Sequence, residues 1–97
     1  MIRIDAFLFD AVNEDKIAAH GLSVLQVSQL LDQEFVVVPN RKARRATYLV
    51  IGRDHGGTCI AVPIEPTTYD RALWRPITAW CCKDSERSVL DHTRRRR

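Results

Sequence analysis

The stretch TYLVIGRDHGGTCIAVPIE, residues 47–65, decides the fold. Two aliphatic and β-branched runs, TYLVIGRD and TCIAVPIE, flank Asp54-His55-Gly56-Gly57. Asp and Gly tolerate the turn conformations that other residues resist, so the stretch predicts a β-hairpin. Pro63 cannot donate to a sheet ladder and predicts a bulge or an edge.

Working outward, the same period continues on both sides. FVVV at 35–38 reads as a strand halted by Pro39 and Asn40. Downstream, a loop through PTTYDRALW leads to a last strand, RPITAWCC. Residues 2–9, IRIDAFLF, are also β-leaning, with Ile2, Ile4, Ala6 and Leu8 on one parity. Between them the period is helical. Asn13 is placed to cap a short helix through EDKIAAH, and Gly21 to stop it. A second helix starts at Ser23, with Val24, Val27, Leu30 and Leu31 as its apolar stripe. From about Ser85 a final helix brings Glu86, Val89, Leu90 and Thr93 onto one face. The predicted order is β-α-α-β-β-β-β-α: an α+β domain whose small antiparallel sheet carries helices on one face and leaves the other open. Residues 1–93 form this single domain, and 94–97 a basic tail.

Bulk properties narrow the class. The 97 residues are 45% apolar and 28% charged, a globular composition with room for one modest core. No apolar stretch approaches the roughly 20 residues that span a bilayer. MIRIDAFLFD carries charges within its short apolar stretch, unlike a secretory signal, so a cytoplasmic protein with no membrane partner is expected. Cys59, Cys81 and Cys82 are odd in number and two are adjacent. A disulfide framework would want an even, spaced set and zinc a CxxC-like pair, so buried or half-buried strand thiols are expected, with no metal and no cofactor.

Charge is uneven. Arg41, Lys42, Arg44 and Arg45 contribute +4, and Arg94 to Arg97 another +4, so a net charge of +3 leaves the remaining body at −5. Two basic patches on an acidic body point to an anionic partner or an acidic protein surface; the alternative is that both are simply solvated.

The order of elements, with particular words in it, resembles the BrnT-type toxins of the RelE/ParE superfamily. The words are His20-Gly21-Leu22-Ser23 at the joint between helices, Leu49-Val50-Ile51-Gly52-Arg53 in the middle, and Arg75-Pro76-Ile77-Thr78-Ala79-Trp80, followed by Glu86 in the last helix. The resemblance covers about residues 10–90. It implies a RelE/ParE-like fold and a metal-independent endoribonuclease, the toxin of a type II toxin–antitoxin pair. Its partners would be RNA and a small DNA-binding antitoxin, which would also supply any oligomer. Such chemistry takes the 2′-hydroxyl proton, lets that oxygen attack the adjacent phosphate, and offsets the developing charge with cations. Two departures stand out. Ala46 and Thr47 occupy the place where the family has an acidic residue and an arginine, and Trp80 replaces an arginine in the last strand.

On this comparison Arg75, His20 and Arg45 are the catalytic candidates, and Arg41, Lys42, Arg44, Arg53 and Trp80 the RNA-binding ones. Each has a plainer reading. Arg75 is a strand-end cation with Asp70 or Glu65 as its partner; His20 ends a helix; Arg53 is solvated at a hairpin mouth. Lys16 lies one helical turn before His20 on the same face. Period two places Trp80 opposite Ile77, Ala79 and Cys81. There it stacks on a base, packs under a partner helix, or joins the core, and Tyr48 and Trp74 share that ambiguity. A protein that keeps the fold but has lost the chemistry, binding RNA or an antitoxin-like partner, is the rival reading.

Overall fold

The computed structural model describes residues 2–40 and 47–95, with the backbone alone at 94 and 95. Arg41, Lys42, Arg44, Arg45 and Ala46 lie outside the described residues, as do 96 and 97. The elements are β1 (Ala6–Phe7), α1 (Ala11–Ala19), α2 (Val24–Gln29) running into a 3-10 turn at Leu30–Asp32, β2 (Phe35–Pro39), β3 (Tyr48–Arg53), β4 (Cys59–Pro66), β5 (Leu73–Pro76), β6 (Trp80–Cys81) and α3 (Asp84–Arg95). The tail boundary expected after residue 93 therefore falls inside α3.

The strands form one sheet in the order β1-β5-β4-β3-β2, with β6 paired to the same flank of β4 as β5. The central hairpin is regular, from Tyr48 opposite Ile64 to Arg53 opposite Cys59. The sheet is mixed rather than purely antiparallel, because β1 runs parallel to β5. Of the eight β-leaning residues 2–9, only Ala6 and Phe7 pair, at the outer edge of β5.

The last strand is two strands. Glu65 faces Arg75 and Ile64 faces Pro76, and the Ile77 amide donates to the Pro63 carbonyl at 2.8 Å. Past that point Ala61 faces Trp80 and Ile60 faces Cys81, a register moved by one residue. One extra residue is thus inserted around Thr78 and Ala79, a β-bulge beside Pro63 on the adjoining strand. The bulge reverses the alternation, so Arg75 and Trp80 share a face that strict period two would have denied them.

The helix joint is built from its own sequence. Asp10, not Asn13, is the N-cap of α1: its carboxylate accepts from the Asn13 amide, and the Asn13 side chain accepts from the Asp10 amide. At the other end Gly21 has φ 77°, and the Gly21 and Leu22 amides donate back to Ala18 and Ile17. This is a Schellman stop, closed by burial of Leu22 and Ile17 in one cluster. Ser23 then caps α2 reciprocally with Gln26. His20-Gly21-Leu22-Ser23 is therefore a stop-and-restart signal in its own right.

Both faces of the sheet are covered, which corrects the expectation of one open face. On the first, Phe7, Ile17, Leu22, Val27, Leu30, Val50, Ile60, Val62, Ile64, Trp74 and Ala79 form the main core with α1 and α2. Trp74 donates its indole N–H to the Arg3 carbonyl at 2.9 Å, and Tyr48 meets it edge-on at 5.6 Å, so both aromatics are core. On the second, α3 lays Leu90 on Ile51, Cys59, Ala61 and Cys82, with Val36, Val38, Leu49 and Trp80 half-buried around them. Cys59 and Cys82 are joined as a disulfide across 23 positions of sequence, Cα to Cα 5.3 Å, and Cys81 is the exposed free thiol. The expectation of three strand thiols is corrected accordingly. Odd cysteine number does not forbid one bridge, and the bulge turns Cys82 inward onto the face that carries Cys59.

Candidate nucleic-acid interface

Arg75 leaves β5 on the second face and is held by two carboxylates. Its Nε and Nη2 donate to Asp10 at 2.7 and 3.2 Å, and its Nη1 to Glu65 at 2.7 Å. Asp10 is there because it caps α1, and Glu65 because it is the cross-strand partner of Arg75. Below them Asn13 is fully buried and donates to the Leu8 and Pro76 carbonyls at 3.0 and 2.9 Å, sealing α1 to β1 and β5. The Arg75 guanidinium, with help from the Asn13 amide, lowers the Asp10 carboxyl from 3.8 to about 2. In return, the hydrogen bond with Asp10 raises Arg75 against the opposing effect of burial, with Glu65 adding to the rise. The partner is Glu65 rather than Asp70, with Asp10 added; nothing in the sequence beyond a capping residue marked Asp10 for this role.

Arg53 points to the same face from β3 but is met by α3, its Nη2 donating to Asp91 at 3.0 Å. A recess of about 130 Å³ beside it is lined by Gln33, Glu34, Arg53 and Leu90. Trp80 lies between the two arginines on that face. Its indole N–H is shared between the Glu86 oxygens at 3.1 and 3.2 Å, and Lys83 Nζ stands 5.8 Å from the ring centre. Glu86 also accepts from the Lys83 amide at 2.7 Å, so the same carboxylate caps α3 and anchors Trp80.

The face shared by Arg53, Trp80 and Arg75 is long. Arg53 stands opposite Cys59 and Arg75 opposite Glu65, six residues apart on β4, or about 20 Å along an extended strand. One phosphate cannot span them. His20 is elsewhere: it is the exposed C-cap of α1, and Lys16 is exposed on that helix. Residues 41–46 join the Pro39–Asn40 end of β2 to Thr47. The Asn40 amide donates to the Thr47 carbonyl at 3.2 Å, and the Thr47 amide to Ile64 at 2.9 Å. These flanks belong to the Glu65–Arg75 end of the sheet.

The other end carries polar groups that sequence reasoning did not single out. Asp54 is buried at the hairpin tip, where it accepts from Gln26 at 3.0 Å and from the Thr58 amide at 2.9 Å. Burial alone would push its carboxyl up, but the bonds from Gln26 and from the Thr58, Gly56 and Gly57 amides outweigh it and hold it low. Gln29 accepts from the His55 amide at 3.0 Å, and Gln33 donates to the Arg53 and Asp54 carbonyls at 3.1 and 2.6 Å. His55 Nε2 lies 2.9 Å from Asp32, both exposed. The sequence signals for this clasp were the Asp54-His55-Gly56-Gly57 turn and the glutamines at 26, 29 and 33, of which Gln33 lies in extended backbone just past the 3-10 turn.

Among the described residues, no group of three or more His, Cys, Asp or Glu side chains is placed to hold a metal, and no helix is long and apolar enough to cross a membrane. No family model, curated protein or solved structure matches the chain.

Proposed function

We propose that the chain is a divergent BrnT-like protein of the RelE/ParE superfamily, the toxin half of a toxin–antitoxin pair, and that it acts by gripping RNA. The reading assigns the phosphate contacts to Arg41, Lys42, Arg44 and Arg45, the densest positive charge ahead of the terminal arginines. One observation supports grip over scission: the cations proposed for catalysis or binding on the sheet are already engaged by carboxylates, Arg75 by Asp10 and Glu65 and Arg53 by Asp91. A guanidinium flanked by two carboxylates presents less net positive charge to a phosphorane, which subtracts from the rate it would provide. The cognate antitoxin, a small DNA-binding protein, is the proposed protein partner.

A ribonuclease reading is favoured by a separate observation, the bulge that turns Trp80 onto the face carrying Arg53 and Arg75. There Trp80 would stack a base while Arg75 offsets charge on the attacked phosphate, with Arg45 as a further candidate for charge stabilisation; His20, at the far end of α1 from Arg75, is left out of that step.

The experiment is binding and cleavage of single-stranded RNA across a salt series, with wild type, Arg44→Ala/Arg45→Ala and Arg75→Ala. Grip predicts that the double variant weakens binding and reduces the salt slope by about 1.4, with no cleavage product from any protein. Scission predicts a product with 2′,3′-cyclic phosphate ends that Arg75→Ala abolishes. Equal binding by wild type and double variant would sink the proposal.

A further inference from the structure

α3 rests on the second face with little apolar burial to hold it. Among its described side chains only Leu90 is deeply buried, 2% exposed, while Val89 is 40% exposed. A helix of this length is marginal by itself in water, so its tethers decide how often it lifts. Two are polar: Glu86 to the Trp80 indole and Asp91 to Arg53. The third is covalent, the bond from Cys59 at the start of β4 to Cys82, two residues before the helix. Only that tether responds to redox state.

We propose that Cys59–Cys82 is a redox-modification site for dithiol reductants, and that it latches α3 over the sheet. A thiolate of the dithiol attacks one sulfur of the pair and expels the other as a thiolate, giving a mixed disulfide. The reductant's second thiol then displaces the remaining protein sulfur and leaves as a cyclic disulfide. Two electrons and two protons pass from the dithiol to the cysteines, which end as two thiols. Both cysteines are buried under α3, so attack proceeds through openings in which the helix lifts. Cys81 takes no part, because strand alternation turns it to solvent while Cys82 turns inward. Reduction removes the loop constraint on the segment between 59 and 82 and makes those openings more frequent. What they uncover is an apolar patch, Ile51 and Ala61 ringed by Val36, Val38, Leu49 and Trp80. The latch stands on this geometry and is independent of the RNA reading.

The test compares the full chain oxidised, reduced with dithiothreitol, and re-oxidised, by alkylation mapping and hydrogen exchange. Alkylation should reach Cys81 alone before reduction and all three cysteines after it. Amides of α3 should exchange at least about tenfold faster in the reduced protein, those of α1 should be unchanged, and re-oxidation should restore the first state. Cys81→Ser should behave as wild type, and Cys59→Ser/Cys82→Ser as the reduced protein; if that double variant does not fold, the wild-type pair of states still decides. Three reactive thiols before reduction would overturn the proposal by removing the bond. Unchanged α3 exchange would make the bond a passive staple, and equal acceleration in α1 would make it a global one; either overturns the latch.

Discussion

The two faces of one sheet are covered by different physics. The first is closed by α1 and α2 through eleven buried apolar residues, among them Ile17, Val27 and Leu30, each fully shielded from water. The second is closed by a smaller cluster of five, in which Leu90 of α3 rests on Ile51, Ala61 and the Cys59–Cys82 disulfide, with a few polar tethers beside it. Apolar burial is cumulative and spread over many contacts, so no single loss opens the first face. Discrete tethers act individually, so the second face is the one that chemistry or a partner can reopen.

The largest effect that sharpens this contrast is Leu30→Ala. It empties a fully buried position beneath the sheet and should lower stability by about 2–5 kcal/mol in urea titration; a change near zero would mean the first face is loosely packed. Leu90→Ala should cost about 2 kcal/mol, at the low end of the same range, because α3 can detach without unfolding the rest. Hydrogen exchange should show the loss confined to α3, and spread of that loss into α1 would break the contrast. Ser23→Ala removes the cap that restarts the chain after Gly21 and should cost about 1 kcal/mol, read as a shift in denaturant midpoint at constant slope.

The smallest effect at neutral pH is the most specific. Asp10 is held at about 2 against an ordinary 3.8, chiefly by Arg75. Between those values the unfolded chain binds more protons at this carboxyl than the folded one does, so its contribution is present above about pH 4 and lost as pH falls toward 2. Arg75→Ala should flatten that part of the acid-unfolding curve while leaving the second face intact. Identical slopes for both proteins would show that the Asp10–Arg75 pair does not form in solution.

Much of the first face was legible locally. The hairpin around Asp54-His55-Gly56-Gly57, the stop at Gly21, the cap at Ser23 and the stripe through Val27 and Leu30 are short-range signals, and each is where the chain said it would be. Asp10 was missed as a cap because Asn13, three residues on, offered the same chemistry. The candidate site was legible only as residue types. Arg75 and Trp80 were visible as a cation and an aromatic, but their partners Asp10, Glu65 and Glu86 come from a helix cap, a neighbouring strand and a helix turn.

By itself the sequence determined an α+β domain, its helix joint, its central hairpin and its uneven charge, because periodicity, capping and turn chemistry act within a few residues. Only the tertiary structure decided that β1 runs parallel to β5, that a single inserted residue puts Trp80 and Arg75 on one face, and that Cys59 meets Cys82 beneath α3. Those outcomes depend on register between distant strands. Pro63 signalled a bulge or an edge, but not that the extra residue falls around Thr78 and Ala79 on the adjoining strand. A shift of one residue exchanges every side chain between the two faces.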